Sequence, residues 1–104
     1  MNEIEFLFIG WCKGTGRDGV QHDKVWTAFK VGNAYYAGWG ARGKKIRFKQ
    51  HGGLYPTLNT LINAKKREYN EVDSFQLFSV FPYFKEDVEK HLTFDLMANK
   101  VMPA

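Results

Sequence analysis

Four stretches in the first half of this chain have a residue pattern of period two, and glycine-bearing segments separate them. Only an extended strand puts every second side chain on one face, so the pattern predicts a sheet. From Glu3 to Cys12, Ile4, Phe6 and Phe8 fall on one face and Leu7, Ile9 and Trp11 on the other. Both faces are apolar past Glu5, as in a strand covered on both sides. Lys24 to Val31 sets Val25, Thr27, Phe29 and Val31 against Trp26, Ala28 and Lys30. Gly32-Asn33 supplies a turn, Ala34 to Trp39 is the returning strand, and Gly40-Ala41-Arg42-Gly43 is a second turn. Lys44 to Gln50 then places Ile46 and Phe48 inward and Lys45, Arg47 and Lys49 outward. Three consecutive hairpin-linked strands make a meander. The segment Lys13 to Gly19 is read as a long glycine-rich hairpin connection. No Gly-Lys-Ser/Thr closes it and no helix follows, so it is not a phosphate loop.

The second half changes period. After Pro56, with Thr57 as N-cap, Leu58, Leu61, Ile62, Lys65 and Tyr69 recur at helical spacing. Lys65, Lys66 and Arg67 close that helix, where cations favour the dipole; nucleic-acid contact explains them equally well. Ser74 to Pro82 reads as one more strand or an extended segment. Lys85 to Val101 is a second helix, with Val88, Leu92 and Leu96 in one row and Met97 and Val101 beside it. Its acidic first turn sets it apart, and it is expected to cap the domain away from the basic face. The predicted class is α+β: an antiparallel meander of about four to five strands, one helix packed on it, and a C-terminal second helix. Residues 1–104 form one domain, in which 72–104 is an extension packed on 3–71.

Several function classes are disfavoured. Cys12 is the only cysteine, so no internal disulfide and no cysteine cluster for zinc is available. His22, His51 and His91 are far apart, and neither a metal nor a cofactor is expected. No nucleophile–histidine–acid set or paired-carboxylate motif appears, so the chain is read as non-enzymatic. The N-terminus lacks the basic start and apolar run of a signal peptide, and no stretch approaches the ~20 apolar residues of a membrane span. A cytoplasmic location without membrane contact is expected.

Charge points to a partner. Between Lys24 and Arg67 there are ten Lys or Arg and no Asp or Glu: Lys24, Lys30, Arg42, Lys44, Lys45, Arg47, Lys49, Lys65, Lys66 and Arg67. The flanks hold all eleven acids and the other five bases. Charge segregated in this way makes a field that attracts polyanions.

His22-Asp23-Lys24-Val25-Trp26, Tyr35-Tyr36, Trp39-Gly40-Ala41-Arg42-Gly43, a basic strand and a helix follow in an order that resembles the WGR domain. The resemblance covers residues 3–71. It implies an antiparallel sheet with a Trp-Gly-Arg motif between two strands, and binding of DNA ends. It also implies that Trp39 packs on a sugar or base at a strand terminus and that an arginine contacts the backbone. Ala41 stands where that arginine directly follows the glycine, and Arg42, one residue later, is the candidate for its role. No segment of the chain resembles the ADP-ribosyltransferase domain that accompanies WGR domains in DNA-damage-responsive enzymes.

The expected partner is nucleic acid, DNA ahead of RNA, recognised by structure at ends, nicks or single strands. The candidate contacts are Lys24, Tyr36, Trp39, Gly40, Arg42, Lys44, Lys45, Arg47 and Lys49. Cations neutralise phosphates and position the ligand, and an exposed ring stacks on a base. Trp39 is alternatively a core residue, Trp11 and Trp26 are read as core, and one of Tyr35 and Tyr36 should be buried. The competing reading is an interaction module docking on an acidic protein, since exposed Tyr, Trp and Arg also anchor protein interfaces. A homodimer through an uncovered sheet edge is a third possibility.

Overall fold

The computed structural model describes residues 3–15 and 19–101, with side chains inside the elements as far as Leu92. Residues 16–18 of the expected glycine-rich connection, and the side chains of Leu96, Met97 and Val101, lie outside the described residues. The chain runs β1 (Ile4–Thr15), β2 (Gln21–Val31), β3 (Ala34–Ala41), β4 (Arg47–His51), α1 (Asn59–Glu68), β5 (Asn70–Glu71), α2 (Ser74–Val80) and α3 (Phe84–Val101). The strands form one antiparallel sheet in the order β4-β3-β2-β1-β5. The α+β meander is thus present, with β5 a short fifth strand on the far side of β1.

The alternation of β2 decides the layering. Val25, Phe29 and Val31 pack against α2 and α3, and Trp26 and Ala28 pack against α1. The sheet is therefore covered on both faces, in three layers. Phe29 is the hub on the α2–α3 side: fully buried, it meets Phe6, Phe48 and Phe84 edge-on, with ring centroids 6.2, 6.1 and 5.7 Å away. On the α1 side, Leu58 and Ile62 close over Phe8, Trp26, Ala28 and Ala37. The buried Thr27 hydroxyl donates to the Gly38 carbonyl at 2.8 Å, so it costs little inside the sheet. The turn between β2 and β3 is led by Gly32 at φ +60°, a conformation that favours glycine.

Three expectations are corrected. In β1 the register slips between Phe6 and Phe8, so Leu7 is an extra residue opposite β2. This bulge inverts the side-chain parity: Ile4, Phe6, Ile9 and Trp11 lie toward α2–α3, and Leu7, Phe8 and Cys12 toward α1. Ser74 to Pro82 is not extended. Asp73 accepts from the Gln76 amide at 2.8 Å, and Gln76 Oε1 accepts from the Asp73 amide at 3.2 Å. This capping box starts α2, which buries Leu77 and Val80. Thr57 makes no cap. An irregular turn, Leu54–Leu58, with a cis Tyr55–Pro56 peptide, leads into α1, and the Thr60 hydroxyl donates to the Pro56 carbonyl at 2.8 Å.

Candidate functional site

Strand pairing sets a row of side chains across the α1 face. Trp26 lies opposite Trp39, and Trp39 opposite Arg47; one step along, Ala28, Ala37 and Lys49 line up. The small residues of the second row keep the sheet low beside the two indoles. The result is a hollow of about 440 Å³ between the sheet and α1. That volume lies within the roughly 300–1,000 Å³ of small-ligand sites. Its wall includes Lys24, Trp26, Trp39, Gly40, Lys49, His51, Lys65 and Tyr69 and, among the described residues, no carboxylate.

Each wall residue is held by an identifiable feature. Tyr69 ends α1, where its amide donates to the Lys65 carbonyl at 2.8 Å, and it leans over β1 because Gly10 leaves room. A Cβ on Gly10 would stand 2.6 Å from the Tyr69 Cβ. Lys65 sits one turn before Tyr69, and its ammonium lies 5.5 Å from the Tyr69 ring centre and 6.0 Å from that of Trp26. Lys24 reaches the same tyrosine ring at 5.8 Å. Cations over ring faces are attracted by the quadrupole and held near the mouth of the hollow. Gly40 packs tightly, its missing Cβ facing Ile46 Cγ1 at 3.2 Å.

The hollow is electropositive by construction. Burial pushes the Tyr69 phenol up to about 12, aided by Cys12 and Glu68, so it carries no negative charge near neutrality. His51 is buried at the end of β4, and its pKa is lowered, first by burial and then by Lys49. Its imidazole is accordingly held toward the neutral form in the absence of an anion.

The structure divides the expected contacts. Lys24, Trp39, Gly40 and Lys49 come together in the hollow, with Trp39 half-buried and open to it. Lys45 and Arg47 line a second hollow of about 560 Å³ with Trp39, Ile46, Phe48, Asp87, Lys90 and His91, between β4 and α3. Thus α3 is not remote from the basic surface as expected, because its Lys90 joins it. Lys44 is exposed and lines neither hollow.

Tyr36 and Arg42 are corrections. Tyr36 is only 4% exposed and stacks on Phe29 with centroids 5.6 Å apart, on the α2–α3 face. Its neighbour Tyr35 takes the half-buried place on the α1 face. Arg42 Nε donates to Asp23 Oδ2 at 2.6 Å, and its guanidinium lies 5.6 Å from the Trp11 ring centre. Trp11 Nε1 donates to the other Asp23 oxygen at 2.7 Å. The Arg42 and Trp11 hydrogen bonds hold the Asp23 carboxyl below its usual pKa. Arg42 therefore clamps the end of the β2–β3 hairpin on the Trp11 side, away from the Trp39 hollow.

Lys65, His51, Tyr69 and Trp26 were missing from the expected contacts. Lys65 carried a signal, as the one lysine of its run on the apolar stripe of α1. Tyr69 belongs to the same stripe, which reads as packing on the sheet, and Trp26 reads as core. Nothing in the sequence marked His51. Among the described residues no three His, Cys, Asp or Glu side chains form a group that could hold a metal, and no helix is long and apolar enough to cross a membrane. Comparison with protein-family models, with curated proteins and with solved structures finds no match to this chain.

Proposed function

We propose that this protein is a non-catalytic nucleic-acid-binding domain, DNA ahead of RNA, selective for ends, nicks or single strands. The observation that carries the reading is the hollow itself: two tryptophans, a tyrosine and three lysines and, among the described residues, no carboxylate. An unpaired base enters beside Trp39 and Trp26, and the flanking phosphates meet Lys24, Lys49 and Lys65. Stacking is worth about 1–3 kcal/mol per base, and the phosphate contacts make affinity fall with salt. Neither contact reads base identity, so selectivity is for structure. A paired base within a continuous duplex has its faces covered by neighbours and does not enter. The resemblance to the WGR domain through Trp39-Gly40 points the same way, with Lys24, Lys49 and Lys65 carrying the phosphate contacts that Arg42 does not make. A cytoplasmic location goes with this reading.

The test is a mobility-shift panel of blunt, nicked, single-stranded and RNA probes at two salt concentrations. Binding should weaken at the higher salt, and Trp39→Ala should weaken ends and single strands more than continuous duplex. Equal losses on all probes would remove the stacking role. Weak, probe-independent binding at low salt, together with tight capture of an acidic protein, would replace the reading with protein docking.

A further inference from the structure

The two hollows are neighbours. Trp39 lines both, and both include residues of β4, the edge strand of the sheet. Lys24, Lys49 and Lys65 line the first hollow, and Lys45, Arg47 and Lys90 line the second together with the carboxylate of Asp87. A ligand confined to the first hollow would not meet the second set of cations. Beyond Trp39, the second hollow offers the Phe48 and His91 rings, packed with centroids 5.3 Å apart, as a wall of apolar and aromatic surface.

We infer that the ligand is a single-stranded polynucleotide that runs from the first hollow past Trp39, crosses the outer edge of β4 and continues into the second hollow against α3. This rests on the nucleic-acid reading and specifies its ligand. A double helix cannot follow that course, because its persistence length is about 50 nm and the turn is made around one strand of a sheet. A single strand bends at each nucleotide, exposes a base to Trp39 at the crossing and keeps its phosphates among the cations on both sides. Lys90 is then a ligand contact contributed by α3, in addition to the part this helix takes in the core.

The experiment compares a thymidine dinucleotide with an oligothymidylate of about ten nucleotides, and their uridine counterparts, by fluorescence anisotropy. The proteins are the full chain, Lys90→Glu and Lys90→Arg, with thermal melting to show that each is folded. Lys90 is exposed, so the substitutions spare the core. The longer strand should bind the unaltered chain at least about tenfold more tightly, with a log–log salt slope steeper by about 2, as three further cations require. Lys90→Glu should remove about tenfold from the longer strand and nothing from the dinucleotide, and Lys90→Arg should restore it. A gain with length in either sugar series supports the path. Dinucleotide binding with no gain from length, or losses from Lys90→Glu that are absent or equal for both lengths, overturns the path and leaves the first hollow standing. No binding of either length by the unaltered chain overturns both.

Discussion

Lys65 differs from Lys66 and Arg67 in its surroundings, although the three are consecutive. Its ammonium stands over Trp26 and Tyr69 at the hollow, and the other two side chains are exposed and line neither hollow. Lys65→Glu should therefore weaken single-strand binding by about tenfold or more, and Lys66→Glu by much less. Parallel titrations at one salt concentration check this, and equal losses would mean that the run acts only as diffuse charge. His51 supplies a pH dependence. Burial and Lys49 lower its pKa below the ordinary value of 6.5, so the empty hollow favours neutral imidazole. For the unliganded protein, this stabilising contribution is complete above the unfolded pKa and is lost as pH falls through the folded one. A bound polyanion reverses the preference and raises the pKa, so binding takes up a proton. Affinity should rise between pH 7.5 and 6, and His51→Gln should flatten that rise; Kd measured across the range at constant ionic strength decides it.

At the scale of elements, α2 shows how a local signal can be read wrongly. Phe75, Phe78, Val80 and Phe81 favour a strand by type. Asp73 and Gln76 form a capping box, and Leu77, Val80 and Phe81 recur at helical spacing into the core. The cap outweighed the propensity because it satisfies amides that a helix start would otherwise leave unpaired. Asp73→Ala should cost about 1 kcal/mol, and Asp73→Ser much less. Urea denaturation would show the difference as a lower midpoint at unchanged slope. The bulge at Leu7 is the other element-scale surprise. Alternation predicted both faces of β1 to be apolar, and they are, but it could not place the extra residue, because Leu7 and Phe8 suit either face equally well. The strands, the meander and α1 were legible because their patterns are long; the bulge and the cap each turn on one or two residues.

For the molecule as a whole, the extension past Glu71 supplies, among the described residues, five of the eleven buried side chains of the core on the α2–α3 face. Leu77, Val80, Phe81, Phe84 and Val88 cover Val25, Phe29, Val31, Tyr36 and Ile46, all buried. A chain ended after Glu71 would bare that face of the sheet, and it should fail to fold alone. Dispersed amide resonances from such a fragment would contradict this. Within the intact chain, Phe84→Ala should cost about 3–5 kcal/mol, since it empties the space beside Phe6, Phe29 and Phe48. The layering also sorts the charges. With α1 on one face and α2–α3 on the other, the outward cations of β4 can gather only along its edge and into the two hollows beside it.

Residue order alone determined the antiparallel meander, the helix after Pro56 and the acid-free middle of the chain, because periodicity and charge are local properties. It brought forward Lys24, Trp39, Gly40 and Lys49, which do meet in one hollow. Tertiary structure alone decided that Tyr36 is interior, that Arg42 is held by Asp23, and that Lys65, His51 and Tyr69 complete the wall. The physical reason is that a side chain's partner depends on which strand lies opposite and which helix lies above. Those neighbours come from parts of the chain that no local window contains.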